Sequence, residues 1–584
     1  MLIEPINIKK ISSLLLVAFI SFSNALHTQT TSYIDYQSPF HPTLSDGPMV
    51  VSQNHLSSEV GIEIIKRGGN AVDAAVAVGF SLAVTLPRAG NLGGGGFMLI
   101  YLEEQNEILA IDYRGQSPSE LKANEIFGVD LPKDYEKANR DIVRYGYKAS
   151  TIPGTVSGLL LAHSQFGKLP LDEVIKPAID QATNGITVSF DLEQAIASAP
   201  QLSWDDESRG IYFNDGKPLQ EGSVMQRPDL AKTMTLISKN GFKGFYSGEV
   251  AKKIVTSMSD NDGSITIEDL QTYKARFSQP IGINYRGKKV YTHGPPSGGG
   301  IVLLTSLKVL EYFDLGKIGN NSALTYHLLA EALRRGHNNR SHHVGDPSFY
   351  SVPYDDLMSD NRIREFAKSV SLKKASSARE IKSLEIIQES KNTTHYSIID
   401  EDGNAVSNTY TLGYSFGSGV TIPGTGILMN NQMNNFAYQY GNEKIEGRGA
   451  SPGNKYEPGK RPMSTMAPTI VFDENDKLLL ITGSPGGKLI PAAILRLITG
   501  VIDFDLNIGE ATMLPRIHKD WPYRGIDYES NVSLDTLNLL KKIGHKIEPS
   551  KTMGSTQSIH IIEDRNHGYS DLRRPNAGVS YINN

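Results

Sequence analysis

The stretch Ala71–Thr85, "AVDAAVAVGFSLAVT", is apolar on nearly every side of a helix. A helix without a polar face has no surface to give to water, so it has to be enclosed by other layers. Just before it, "SSEVGIEIIKRGGN" carries apolar residues at helical spacing and ends in Gly68-Gly69-Asn70, a helix stop followed by a restart. Residues 57–85 therefore predict two consecutive helices. A further long amphipathic helix is expected within 321–346, with Asn321 or Ser322 as its N-cap. Between such helices lie runs of strand pattern. Residues 97–114 read as a hairpin, residues 394–413 as a second with a type I′ turn at Asp402-Gly403, and residues 467–487 as a third with Asp476 near its turn. Buried helices and antiparallel hairpins together predict an α+β body of packed layers.

The chain has 584 residues and a net charge of −5 with both signs dispersed, which gives no footing for nucleic acid. It has no cysteine, so disulfides, thiolate metal sites and a cysteine nucleophile are excluded. A nucleophile, if the chain uses one, is Ser, Thr, Lys or a carboxylate. At the N-terminus, Lys9-Lys10 precede an apolar run from Ile11 to Phe22, and Ser23-Asn24-Ala25 fits a small-x-small cleavage site. Residues 1–25 read as a secretory signal peptide, with an uncleaved anchor as the alternative. Either places the body outside the cytoplasm, periplasmic or secreted. No other stretch is long and apolar enough to span a bilayer.

Three glycine-rich loops stand out: "AGNLGGGGFM" (89–98), "HGPPSGGGIV" (293–302) and "GSPGGKL" (483–489). None has the spacing of a phosphate-binding loop. Tight turn packing and presentation of backbone N–H groups to an anion or oxyanion are both open for each.

Residues 391–400 read "KNTTHYSIID". Asn-Thr-Thr ahead of a strand makes a good turn. The same residues also suit a catalytic start point. If Thr393 became a chain terminus, its α-amino group, with a pKa near 8, could act as base toward its own hydroxyl. That hydroxyl could create the terminus by attacking the Asn392 carbonyl, an N-to-O acyl shift completed by hydrolysis. Asn392 tolerates unusual backbone angles before such a bond. These residues alone leave both readings open.

The stretch has company. "TTHYS", "DGNAVSNTYTLG", "GILMNNQMNNF", "KRPMSTMAPTIV" and "GSPGG" follow one another in an order and spacing that resemble the small subunit of gamma-glutamyltranspeptidases. Upstream, "KRGGNAVDAAVA", "GNLGGGGFM", "DYRGQSP", "PGTVSGL", "PPSGGG" and "EALRRGHNNRSHHVGDP" resemble the large subunit. The resemblance runs from about Pro48 to near the C-terminus. It implies an N-terminal nucleophile hydrolase fold, a four-layer αββα sandwich. It implies self-cleavage into a large subunit, 26–392, and a small one, 393–584. The implied chemistry is hydrolysis of glutathione and other γ-glutamyl amides, with the acyl group passing to water or acceptor amino acids. No cofactor and no metal are implied.

Carried over residue by residue, Thr393 matches the nucleophile and Thr411 a hydroxyl that assists it and the processing step. Arg114 matches the grip on the substrate α-carboxylate, a role that a guanidinium fork suits. Ser464 and Thr465 match two hydroxyls on the same carboxylate, with Thr465 in place of the usual serine. Gly486 and Gly487 match the oxyanion donors, and Gln432 an amino-group contact.

Three departures are visible. The asparagine usual after "TYTL" is Gly413 here, and the usual pair of acids is Asn434 and Asn435. The usual "ADR" reads Asn338-Asn339-Arg340, followed by Ser341-His342-His343. Adjacent residues on a helix point about 100° apart, so the histidine pair predicts a hydrogen-bonding cluster at the helix end and no metal. A neutral Asn435 loses the charge-assisted bond to the substrate ammonium. Residues 437–459, polar and glycine-rich, match the family's active-site lid, or a plain surface loop. Three readings stand: a γ-glutamyl hydrolase and transferase; a related threonine amidohydrolase of glutaryl or poly-γ-glutamate substrates; and an unprocessed secreted binding protein.

Overall fold

A computed structural model describes residues 38–121, 142–341, 343–377, 381, 392–438, 446–447, 451–521 and 525–583. The signal-peptide segment and part of the expected lid lie outside them. Residues Pro42–Asn584 form one unit. Its frame is fourteen strands in two sheets. In chain order they are β1 (Thr43–Ser45), β2 (Met49–Ser52), β3 (Gly95–Leu102), β4 (Glu107–Tyr113), β5 (Arg276–Ser278), β6 (Pro280–Tyr285), β7 (Lys288–His293), β8 (Asn392–Ile399), β9 (Ala405–Gly413), β10 (Thr469–Phe472), β11 (Leu478–Thr482), β12 (Gln557–Ile562), β13 (Arg565–Ser570) and β14 (Gly578–Tyr581). One sheet runs β14-β2-β8-β9-β3-β4-β5 and the other β1-β13-β12-β11-β10-β7-β6, with every pair antiparallel.

Strand alternation explains how these sheets layer, because successive side chains point to opposite faces. In the first sheet Val50, Met98, Ile100, Tyr396, Ile398, Val406 and Tyr410 join a helix-side core. Their strand neighbours Met49, Val51, Leu99, Tyr101, Ile399 and Ala405 face Ile470, Phe472, Ile481 and Ile559 of the second sheet. The outer face of the second sheet, through Tyr285, Val290, Val471 and Leu480, packs on a second group of helices. The order is helix, sheet, sheet, helix: the αββα sandwich expected from the resemblance.

The expected helix pair is α1 (His55–Lys66) and α2 (Ala71–Thr85), and every residue of α2 is buried. Asn70 restarts the chain with a capping box, accepting from Val72 N and Asp73 N while the Asp73 carboxylate accepts from Asn70 N. On the opposite side of the sandwich lie α3 (Gly298–Leu310), α4 (Ala323–Ser341) and α5 (Ile490–Phe504). Ser322 Oγ accepts from Thr325 N at 3.1 Å, as one of the two cap candidates would.

Two expectations need correction. The helix α4 is not amphipathic, since every residue from Thr325 to Ser341 is buried. Its charged side chains find partners inside the protein instead: Glu331 pairs with Arg335 at 2.6 Å with both side chains fully covered, and Arg334 donates to Ser376 O. The 402–403 turn is not type I′. Gly403 has φ +83° while Asp402 is absent from the positive-φ residues, and type I′ needs both. Asp400 closes a longer loop, its Oδ1 accepting from Asp402 N and Asn404 N.

Candidate active site

The strand β8 lies inside its sheet, between β2 and β9. Tyr396 and Ile398 point to the helix layer, so alternation turns Thr393, His395 and Ser397 toward the second sheet. Thr393 is 7% exposed and Thr394 fully buried. Across the ladder Thr394 pairs with Tyr410, while Asn392 pairs with Gly413. Two steps along β8 thus match three along β9, and this bulge lies opposite Thr393. Such bulges re-aim side chains. Thr411 is within the bulge, and its Oγ1 accepts from Gly413 N at 2.9 Å.

Behind Thr393 the two sheets are joined by polar groups. His395 contacts Thr409 Oγ1 at 2.8 Å and Ser397 Oγ at 3.1 Å, and Ser397 Oγ donates to Gln557 O of the second sheet at 2.9 Å. Burial pushes the His395 imidazole down to about 3, so it is neutral at ordinary pH. Ser407 Oγ donates to Thr482 O at 3.0 Å. The next residue is Gly483, where a Cβ would overlap the His395 ring. This close approach anchors the start of the 483–487 loop against β8 at His395. Within the loop, Gly486 and Gly487 have φ +134° and +55°.

Arg114 follows β4 and is 1% exposed. Its Nε donates to Pro462 O at 3.2 Å, and its own carbonyl accepts from Tyr273 OH at 2.9 Å. The segment 460–465 is held by a buried charge cluster absent from the sequence-based candidates. Asp112 pairs with Arg461 at 2.8 Å and with Arg276 at 2.9 Å, and Arg276 also reaches Asp346 at 2.8 Å. Asp346 accepts in turn from Arg461 N at 2.9 Å. Burial disfavours the Asp112 charge, but Arg461 and Arg276 outweigh it and hold the carboxyl below its usual range. Ser464 Oγ accepts from Met466 N at 3.1 Å, and Ser464 O accepts from Gly298 N at the start of α3 at 2.7 Å. Thr465 is 7% exposed.

Gln432 connects the two sides. Its Oε1 accepts from Gly115 N at 3.2 Å and its Nε2 donates to Thr411 O at 2.8 Å. Both ends of this amide are therefore on protein backbone. Asn430 braces it: Asn430 Oδ1 accepts from Gln432 N at 2.9 Å and from Thr151 Oγ1 at 2.9 Å. Gly413 has φ +108°, and a Cβ there would overlap Asn431 Oδ1. Asn431 lies in that space, accepting from Tyr414 N at 2.9 Å and donating to Arg144 O at 2.8 Å. Asn435 is half-buried, and its carbonyl accepts from Asn454 Nδ2 at 2.8 Å.

Gln432 thus bonds both Thr411 O and the residue after Arg114, Arg114 reaches Pro462 two residues before Ser464, and Gly486 and Gly487 sit on the loop whose Gly483 packs on His395. The residues that sequence reading passed over are Asp112, Asp346, Arg461, Asn430 and Asn431. All five stand inside the motif strings "DYR", "GDP", "KRP" and "MNNQ", and only for Asp112, two residues before Arg114, did the string itself pair a charge with an arginine. His343 lies beyond the end of α4, and His342 is outside the described residues.

A family model described as Gamma-glutamyltranspeptidase matches residues 57–581. The chain is 39% identical over 578 residues to a protein named glutathione hydrolase proenzyme of Escherichia coli (strain K12), covering 98% of each. It is 33% identical over 517 residues to the Acylase ACY 1 proenzyme of Pseudomonas sp. (strain SE83), covering 88% of this chain and 89% of that one. Among solved structures it is similar to a cephalosporin acylase from Bacillus halodurans, with TM-score 0.81, 26% identity and coverage of 95% and 99%.

Proposed function

Because the chain belongs to the gamma-glutamyltranspeptidase family, we propose that it is an enzyme that hydrolyses glutathione and related γ-glutamyl amides and passes the γ-glutamyl group to water or to acceptor amines. The observation that carries this reading is the placement of Thr393. It lies at the start of a central strand, opposite a bulge that contains Thr411, and two residues before His395, on which Gly483 of the 483–487 loop packs.

In the proposed processing step, Thr393 Oγ1 attacks the Asn392 carbonyl and the peptide shifts to an ester. Water then releases residues 26–392 from 393–584. The freed Thr393 amine becomes the base for the second use of the same hydroxyl. Oγ1 attacks the γ-carbonyl of the substrate, and the N–H groups of Gly486 and Gly487 face the developing oxyanion. One such donor contributes about 3 kcal/mol to the barrier in comparable sites. The amine of the leaving group takes the proton, and a threonyl ester remains for water or an acceptor amine to resolve. Arg114, Ser464 and Thr465 hold the α-carboxylate, while Gln432 and Asn435 face the α-amino end. No step draws on a cofactor.

Support for the carboxylate role of Arg114 comes from its burial and from the Asp112–Arg461 cluster that holds Pro462 against it. A signal peptide over residues 1–25 would deliver the body to the periplasm or the exterior. Among the described residues no helix is long and apolar enough to cross a membrane.

The test is a denaturing gel of the purified chain. Two unequal bands, with Thr393 as the first residue of the smaller, support processing, and the Thr393→Ala variant stays whole. A single full-length band from the native sequence would favour a binding protein on this scaffold. Processed protein without activity on a γ-glutamyl anilide would sink the enzymatic reading.

A second reading changes the substrate. Asn431 fills the space next to Gly413, and Asn435 carries no charge, so the amino-end pocket differs from the carboxylate end that is kept. One of the relatives is named an acylase. Turnover of a glutaryl anilide faster than its γ-glutamyl counterpart would favour a glutaryl-type acylase or poly-γ-glutamate hydrolase.

A further inference from the structure

A second polar cluster lies at the end of α4, outside the site described above. His337, near the end of α4, meets His518 of the short strand Ile517–His518 and Asp520 just after it. Their exposures are 0%, 1% and 5%. The His337 and His518 rings stand perpendicular, with centroids 5.1 Å apart. Among the described residues, none of the four ring nitrogens has a partner at hydrogen-bond distance, the Asp520 carboxylate lying 4.0 Å from His518. Buried imidazole nitrogens without a partner are costly, so this arrangement calls for a ligand or a bridging group.

The distances indicate which. His337 Nδ1 is 3.6 Å from Asp520 Oδ1, and His518 Nε2 is 4.0 Å from Asp520 Oδ2. One ligating atom from each of the three residues lies within 4.8 Å of the others. These spacings are too long for hydrogen bonds. They are close to the edge of a tetrahedron of metal ligands, which is about 3.4 Å for bonds of 2.0–2.1 Å. Asp520 is already oriented by the backbone, its Oδ1 accepting from Trp521 N at 2.8 Å, as outer hydrogen bonds orient metal ligands.

A neighbouring triad, His327, Glu331 and His545, shows the contrast. There His327 Nδ1 and His545 Nε2 are already hydrogen-bonded at 2.7 Å, and Glu331 is neutralised by Arg335 at 2.6 Å. That cluster is closed by its own contacts. In the His337 cluster the carboxylate has Lys488 Nζ at 3.6 Å, but the imidazole nitrogens have no such bond.

We propose that His337, His518 and Asp520 bind a divalent transition-metal ion of the Zn²⁺ class. Two imidazoles and one carboxylate suit such an ion and not Ca²⁺ or Mg²⁺, which take oxygen ligands. The ion pins the end of α4 to the 517–521 segment. It also shares Asp520 with Lys488, whose Nζ is 3.6 Å from Oδ2. Lys488 follows Gly487 directly, so metal loading bears on the loop opposite Thr393.

The experiment uses the full chain, stripped with a chelator and dialysed against Zn²⁺ or, in parallel, Ca²⁺. Elemental analysis should find one zinc per chain and no retained calcium, and the thermal midpoint should rise with zinc alone. Co²⁺ in its place should give the intense visible absorption of a four-coordinate site. His337→Gln and Asp520→Asn should each lose the bound metal and the thermal shift; if Asp520→Asn fails to fold, His518→Gln takes its place. His560 and His567 are cross-strand neighbours and form the rival zinc site. Zinc lost in His567→Gln but kept in Asp520→Asn would overturn the proposal. So would the absence of retained zinc in the native chain, which would leave the cluster bridged by buried water.

Discussion

Asn431 occupies the space that a side chain at position 413 would require. Gly413 sits at φ +108°, and any Cβ built on it overlaps Asn431 Oδ1. The loss of a side chain at 413 and the position of Asn431 are therefore one structural fact. Restoring asparagine at 413 alone should fail. A non-glycine residue in that backbone region costs about 1–3 kcal/mol, and the overlap adds to it. Gly413→Asn should lower the urea midpoint clearly. Gly413→Asn with Asn431→Gly should recover part of it, because the overlap is gone. In the double variant the ratio of γ-glutamyl to glutaryl anilide turnover should rise; an unchanged ratio would show that position 413 does not read the amino group.

Asn435→Asp restores a charge at the amino end. Bonds between charged groups are roughly twice as strong as neutral ones. A gain of about 1.4 kcal/mol corresponds to about tenfold in kcat/KM for a γ-glutamyl anilide. The glutaryl analogue, which lacks the ammonium, should gain nothing or lose. Equal changes for both would remove Asn435 from the amino pocket.

The Asp112–Arg461 pair should matter for folding and for binding together. Asp112 is 1% exposed and holds both Arg461 and Arg276. Removing one partner of a buried pair leaves uncompensated charge and costs about 3–5 kcal/mol. Asp112→Asn should lower the unfolding free energy, read from urea titration, by that order. In the surviving folded enzyme KM should rise more than kcat falls, since the segment at Pro462 loses its anchor beside Arg114.

Acid should destabilise the body through its buried histidines. Burial lowers His395 and His545 to about 3 and His560 to about 4, against 6.5 for the free group. The unfolded chain then binds more protons than the folded one between those values. Stability is full above about pH 6.5 and falls as pH drops toward the folded values, by about 1.4 kcal/mol per unit for each histidine. Urea midpoints followed from about pH 7 to pH 4 should trace this fall. His395→Gln should flatten it, and an unchanged slope would place the acid sensitivity elsewhere.

Much of this molecule was legible along the chain. The all-apolar helix Ala71–Thr85 demanded layers on every side, the three hairpins supplied sheets, and Asn70 marked the restart between two helices, because these signals are local and periodic. The motif order around Thr393 likewise pointed to its candidate chemistry before any packing was known. What sequence reading missed is decided between elements distant in the chain. The helix Ala323–Ser341 looked amphipathic because its charges are visible in sequence, whereas the groups from residues 366–376 that cover Arg334 and Arg335 are visible only in space. Asn431 in the gap at Gly413, Gly483 against His395, and His337 beside His518 and Asp520 all join residues whose separation along the chain carries no periodic trace. Periodicity reports which face is buried. Only the tertiary packing determines which two buried groups meet.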